Sequence, residues 1–130
     1  MDMLDQCEAV TFSRQPSVAY FLKGVLDCAG YTVVAALSTL DNLEAVVAQT
    51  KPKVIVYDVS YPFEENWNAL QQLRQSPAFR DTPVVVTTSE AAAFRRAVGV
   101  SAAIEIFARP DVNELREVVR RTIEAGVCAA

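Results

Sequence analysis

The residues that could do chemistry are polar side chains that directly follow the apolar runs of the sequence. They are Ser13, Arg14, Asp58, Thr87, Thr88 and Arg109. Asp58 is the carboxylate of this set, and a carboxylate can serve as a nucleophile or as a ligand of a hard cation. The chain contains no histidine, which removes the commonest general base at neutral pH. Because the sequence offers no nucleophile–base pair and no cluster of metal ligands, we expect no catalytic residues, no metal site and no stand-alone enzyme activity.

The composition argues against several further classes of protein. The three cysteines, Cys7, Cys28 and Cys128, are widely spaced and form no CxxC pair, which argues against a disulfide framework and against a zinc site. The net charge is −4, so the chain has no general attraction to nucleic acid or to an anionic membrane. Its apolar segments are far shorter than the ~20 residues of a membrane helix. We expect a cytoplasmic protein that contacts neither nucleic acid nor membrane directly.

The elements that must position the polar residues alternate along the chain. Strand-like apolar runs are separated by helix-like segments, and the runs are Glu8 to Phe12, Tyr31 to Leu37, Val54 to Tyr57, Pro83 to Val86 and Ile104 to Phe107. The run before Asp58 is apolar without alternation, which is typical of a strand covered on both faces. The alternation predicts a parallel sheet with helices on both sides. Since ligands bind outside the carboxyl ends of such strands, we expect the polar residues to meet at one edge.

Periodic apolar residues define the predicted helices. The first helix has an apolar stripe of Val18, Phe21, Leu22, Val25 and Leu26. Gly30 follows this stripe and is predicted to end the helix. The fourth helix, about Glu90 to Val98, is rich in alanine and contains Phe94.

Four motifs resemble those of a known family. They are Gln15-Pro16-Ser17, Asp58-Val-Ser-Tyr-Pro62, Pro83-Val-Val-Val-Thr-Thr88 and Phe107-Ala-Arg109-Pro110. In this order and spacing, the chain resembles the receiver domains of two-component response regulators from Glu8 to about Ala125. The resemblance implies a single domain over residues 1–130, with its core at about residues 8–125. The implied fold is flavodoxin-like α/β, a (βα)5 three-layer sandwich with a five-stranded parallel sheet of order 2-1-3-4-5.

The resemblance also implies roles for the polar residues. Asp58 stands at the phosphoacceptor position, Thr88 at the switch hydroxyl and Arg109 at the family's lysine. Aligned through Pro16, the family's acidic pair falls on Ser13 and Arg14, and neither residue replaces a carboxylate ligand. Family chemistry needs a Mg²⁺ ion held chiefly by carboxylates. We therefore expect no cofactor and no Mg²⁺ binding.

Two of these residues have alternative interpretations. Asp58 is either a phosphoacceptor or a retained carboxylate that is solvated or paired with Arg14 or Arg109. Thr88 is either a switch hydroxyl or, with Ser89, an N-cap of the fourth helix. Thr87 is interpreted as a strand-end residue.

A partner surface is also implied by the resemblance. The family uses the face built from the fourth helix, the fifth strand and the fifth helix for dimerisation or output contacts. Here that face is predicted to present Phe94, Arg95, Arg96, Ile106, Arg116 and Arg120. After the third strand, Trp67 is assigned to the core, whereas Tyr61 and Phe63 are interface candidates. The expected partners are a histidine kinase, an output domain or a second copy of the chain.

Three functions remain open at the level of sequence. A pseudo-receiver, which binds another protein without Mg²⁺-dependent aspartyl phosphorylation, is favoured. The alternative is an atypical but functional receiver that a histidine kinase or phosphotransfer protein phosphorylates on Asp58. A small-molecule binder ranks last, because the four glycines do not cluster into a phosphate-binding loop.

Overall fold

The computed structural model describes residues 7–36, 39–99, 106–108 and 112–129, with side chains for all of these except 106–108 and 126–129. Arg109 and the side chain of Ile106 therefore lie outside the described residues, and the roles predicted for them stay predictions. None of the helices in the described ranges combines the length and the apolar character needed to cross a bilayer.

Strands and helices alternate as the sequence predicts. The strands are β1 Ala9–Phe12, β2 Val33–Ala35, β3 Val54–Asp58, β4 Val84–Thr88 and β5 Ile106–Ala108. The helices are α1 Pro16–Cys28, α2 Leu40–Thr50, α3 Phe63–Leu73, α4 Pro77–Arg80, α5 Ala91–Val98 and α6 Val112–Ala129. The short helix α4, which begins at Pro77, is not among the predicted elements. Proline is favoured in the first turn of a helix, where its missing N–H is not needed, and here it begins a further turn.

The five strands form one parallel sheet of order β2-β1-β3-β4-β5, which confirms the predicted topology. The central strand β3 pairs with β1 and β4. Its register sets Thr11 opposite Val56, and Asp58 opposite Thr87. This pairing brings the carboxyl ends of β1, β3 and β4 to the same edge of the sheet.

Side chains of β3 point alternately to the two faces of the sheet, so this strand contributes to two separate cores. Ile55 and Tyr57 pack in a cluster with buried residues of α2, α3, α4 and α5, which we call the first core. Val54 and Val56 pack in a cluster with buried residues of α1 and α6, which we call the second core. Two layers of helices around a sheet buried on both faces are the predicted three-layer sandwich.

The first helix follows its predicted start and end. Pro16 is its first residue, and Ala29 caps its carboxyl end. Gly30 follows with a φ of 96°, a left-handed conformation that glycine adopts without steric cost. The backbone N–H of Tyr31 donates to the carbonyl of Leu26, and the chain then turns into β2.

Candidate functional site

Three residues from neighbouring strands meet at the carboxyl edge of the sheet. Ser13 directly follows β1, Asp58 is the last residue of β3, and Thr87 lies next to the end of β4. Asp58 and Thr87 are register partners, so their side chains leave the sheet on the same face. All three are buried, with Asp58 only 1% exposed.

The carboxylate of Asp58 accepts a hydrogen bond on each oxygen. The Ser13 hydroxyl donates to Oδ2 at 3.1 Å, and the Thr87 hydroxyl donates to Oδ1 at 2.9 Å. Ser13 Oγ also accepts from the backbone N–H of Gln15 at 3.0 Å. A hydroxyl has one proton to donate and lone pairs to accept, so Ser13 can serve Asp58 and Gln15 together. We call this arrangement of Ser13, Asp58 and Thr87 the hydroxyl clamp.

The hydroxyl that donates to Asp58 belongs to Thr87, whereas the resemblance puts the switch hydroxyl at Thr88, and that role stays a prediction. Thr88 points to the other face of the sheet, and its Oγ1 accepts from the backbone N–H of Glu90 at 3.4 Å. Thr88 is not the N-cap of α5, because that position is Glu90.

Arg14 is exposed and forms no ion pair with Asp58, although it is adjacent to Ser13 in sequence. Of the two arginines considered as partners of Asp58, Arg14 is therefore not paired with it, and Arg109 lies outside the described residues. The positive charge of Arg14 acts on the phenol of Tyr57, the residue before Asp58. Burial raises the pKa of Tyr57 to about 12, an increase that Arg14 opposes and the charge of Asp58 reinforces. The Tyr57 ring stacks on Phe12 with centroids 5.0 Å apart.

An aromatic ladder connects the loop after β3 to helix α5. Tyr61 is 80% exposed and meets Phe63 edge to face at 6.0 Å between ring centroids. Phe63 in turn meets Phe94 at 6.0 Å, and Trp67 meets Phe94 at 5.4 Å. Phe63 is buried as the first residue of α3, so it is not the interface residue that was predicted. Tyr61 remains exposed, and Trp67 packs against the first core as expected.

The predicted partner surface is altered by the structure. Phe94 is fully buried in the first core and is absent from the surface, because it is the residue through which α5 packs on α3. Arg95, Arg96 and Arg116 are exposed. Arg120 is also exposed, but its guanidinium is bound by the carboxylates of Glu117 and Glu124 on the same helix.

Within residues 7–36, 39–99, 106–108 and 112–129, no three histidine, cysteine or acidic side chains are grouped so that they could hold a metal ion. At the carboxyl edge, Asp58 is joined by the neutral hydroxyls of Ser13 and Thr87. Mg²⁺ prefers carboxylate oxygens, and this set of donors does not fit that preference.

One curated protein is similar to part of this chain in sequence. No protein-family model matches the chain. Protein PilG of Pseudomonas aeruginosa is 30% identical over 70 residues, which are 54% of this chain and 51% of that protein. The chain thus spans about half the length of this curated relative.

Solved structures are similar over about nine-tenths of the chain. A sensor protein from Polaromonas has a TM-score of 0.76 at 18% identity, covering 93% of this chain and 98% of its own. The receiver domain of a Pseudomonas aeruginosa sensor histidine kinase, with magnesium coordinated in its active-site cleft, has a TM-score of 0.71 at 18% identity, covering 91% and 98%. The Vibrio cholerae chemotaxis protein CheY4 has a TM-score of 0.67 at 19% identity, covering 90% and 98%.

Proposed function

Since the chain has the fold of response-regulator receiver domains, we propose that it is a receiver-like signalling domain that acts by binding another protein. In this proposal Asp58 is not phosphorylated through a Mg²⁺-dependent reaction. The domain is a pseudo-receiver whose partner is a histidine kinase, an output domain or a second copy of the chain.

The hydroxyl clamp is the observation that carries this proposal. Each oxygen of Asp58 already accepts a hydrogen bond from a neutral donor. Phosphoryl transfer depends on electrostatic stabilisation of the charge on the transferring group. Ser13 offers a dipole to Asp58 at a position where the family's carboxylate would offer the charge that binds Mg²⁺. The clamp therefore supports a carboxylate that is retained for hydrogen bonding.

The exposed cations of α5 and α6 support a protein partner. Arg95 and Arg96 lie in the last turn of α5, and Arg116 lies on α6. All three are exposed, and among the described residues none of them forms an ion pair. Arginine is common at interfaces because its planar group binds carboxylates in a bidentate manner. An acidic surface on the partner suits this set of residues.

Incubation with acetyl phosphate and Mg²⁺, followed by intact mass spectrometry, tests the proposal. We expect the mass of the natural chain to stay unchanged, as it does for an Asp58→Asn control. A gain of one phosphoryl group that the control lacks would contradict the proposal. Such a gain would establish the alternative, an atypical but functional receiver.

A rebuilt acidic pair is the matched positive control. In the double variant Ser13→Asp with Arg14→Asp, two carboxylates return to the positions where the family has them. We expect this variant to bind Mg²⁺ and to gain the phosphoryl mass on Asp58, because the cation then neutralises the charge of the transferring group. If the rebuilt variant reacts and the natural chain does not, Ser13 and Arg14 are the residues that prevent phosphorylation.

A further inference from the structure

We propose that a cleft at the amino end of β4 binds a small organic phosphate monoester. The cleft has a volume of about 640 Å³ and is lined by residues of the segment around α4, the start of β4 and α6. It lies at the amino end of the sheet, whereas Asp58 and Thr87 lie at the carboxyl ends of their strands. The cleft and the hydroxyl clamp are therefore separate sites.

The cleft is positively charged in an acidic protein. Arg74, Arg80 and Arg121 line it together with the single carboxylate of Asp81, so its lining has a net charge of +2. The chain as a whole has a net charge of −4. An anion entering this cleft gains local attraction that the overall charge of the protein does not provide.

The guanidinium groups of the cleft are available to a ligand. Within the described part of the chain, neither Arg74 nor Arg80 forms an ion pair. Arg121 reaches Glu117 only at 3.9 Å, with half of each side chain exposed, and such a contact contributes little. The neighbouring Arg120 differs, since two carboxylates bind it. Three cations around one cleft repel each other, and a bound anion relieves that repulsion.

The helix dipole explains the positions of only two of these three arginines. Arg74 caps the carboxyl end of α3, and Arg80 ends α4, where the negative end of the helix dipole favours a cation. Arg121 lies inside α6, in the other helical layer, so the dipole does not account for it. Three separate elements thus direct cations into one cleft.

The chemistry of the lining defines the class of ligand. A phosphate monoester has a charge of about −1.5 to −2 at neutral pH, which matches the net charge of the lining. The planar guanidinium fork binds phosphate oxygens in a bidentate manner. Pro83 and Val118 add apolar wall next to the arginines, which suits the organic part of an ester.

Amide NMR titrations with phenyl phosphate, inorganic phosphate and phenol test this site. We expect phenyl phosphate to shift the amides of Thr82 and Thr122, which line the cleft, in a saturable manner. Inorganic phosphate should bind the same amides more weakly, because it lacks the apolar part. Phenol should leave them unchanged. Saturable binding that is equal for the two phosphates would overturn the assignment of an ester.

Two charge-matched double variants locate the binding. Arg80→Ala with Arg121→Ala removes two exposed cations of the cleft, and Arg95→Ala with Arg96→Ala removes two exposed cations of α5. We expect the first variant to weaken binding at least about tenfold, because charge-assisted hydrogen bonds are lost, and the second to bind normally. Equal weakening in both variants, or no saturable binding by the natural chain, overturns the proposal. If the amide spectrum shows that the first double variant is unfolded, the single variant Arg80→Glu replaces it, with Arg95→Glu as its control.

Discussion

At the scale of single residues, the two hydroxyls on Asp58 set what this carboxylate can do. A neutral donor satisfies a buried carboxylate oxygen without adding negative charge to the site. An aspartate in place of Ser13 would add a charge that needs a cation beside it. Ser13 therefore removes a charge that would need a cation and supplies a neutral hydrogen-bond donor in its place.

The sequence predicted which residues lie at the carboxyl edge of the sheet, but it did not predict which of them form hydrogen bonds to one another. The spacing from Pro16 placed Ser13 at the end of the first strand, and the structure places it beside Asp58. The choice between Thr87 and Thr88 could not be made from spacing, because a shift of one residue sends a side chain to the opposite face of a sheet. Only the register with β3 distinguishes the two threonines.

Tyr57 predicts how stability depends on alkaline pH. Burial raises its pKa in the folded chain to about 12, whereas an unfolded tyrosine ionises near pH 10. The unfolded chain loses this proton first, so the stabilisation is complete below about pH 10 and is lost as pH rises towards 12. We expect this loss to be on the order of 2 kcal/mol.

Urea denaturation of the natural chain and of Tyr57→Phe, at about pH 8 and about pH 11.5, measures this contribution. The phenylalanine variant keeps the ring and loses only a weak hydrogen bond to the carbonyl of Asn66 at 3.5 Å. It should lose less stability between the two pH values than the natural chain. Equal losses in the two proteins would show that Tyr57 ionises as readily in the folded state as in the unfolded state.

At the scale of elements, helix α5 buries one side chain fully, and its half-buried Ala93 and Val98 pack against the same core. Phe94 is the buried residue of α5, a helix that is described over its whole length. Its ring contacts Phe63 and Trp67 of α3. The position of α5, and of the exposed Arg95 and Arg96 on it, therefore depends on this aromatic contact.

Truncation of Phe94 should destabilise the domain strongly. We expect Phe94→Ala to lower the free energy of unfolding by about 3–5 kcal/mol, because it leaves a cavity beside Trp67. The matched control is Phe21→Ala, which removes a ring that is 43% exposed on α1 and should cost much less. Urea denaturation followed by Trp67 fluorescence measures both. Similar losses for the two variants would mean that the Phe94 ring contributes no more than a surface ring.

The sequence predicted the number, type and order of most elements, and it was less successful with the direction of individual side chains. The apolar stripe of α1 contains Val18, Leu22, Val25 and Leu26 as buried residues, but Phe21 is exposed. A helical period defines a face only to within about one residue, so a large side chain at its margin can lie on either side. Phe94 was placed on the partner surface by the resemblance, and periodicity did not correct this because an alanine-rich helix has few large apolar residues to define its buried face.

At the scale of the whole molecule, the sheet separates the two cores. The first core contains Val47 of α2, and the second contains Val119 of α6. Side chains on opposite faces of a sheet share no packing partners, so their effects on stability should be independent. We therefore expect the change in the free energy of unfolding from a substitution in one core to be independent of a substitution in the other.

A pair of double-mutant cycles measures this independence. Val47→Ala and Val119→Ala should each cost about 2 kcal/mol, and the double variant should equal their sum within about 0.5 kcal/mol. As a control within one core, Phe63→Leu and Phe94→Leu alter two rings that touch, so their effects should not add. Urea denaturation of the six variants gives the coupling energies. A coupling above about 1 kcal/mol between Val47 and Val119 would show that strain passes through the sheet.

The burial of Asp58 has a kinetic consequence. Because the side chain is enclosed and each oxygen accepts a hydrogen bond from a hydroxyl, we expect a reagent to attack this carboxylate mainly in a minor population in which Ser13 or Thr87 has turned away. If that open population is about 1%, the apparent rate of any modification falls about 100-fold below the intrinsic rate. Under the proposed function, inertness towards a phosphodonor would have two separable sources, the rarity of the open state and the missing charge for a cation. A time course in mild denaturant, which increases the open state but restores no carboxylate, distinguishes them.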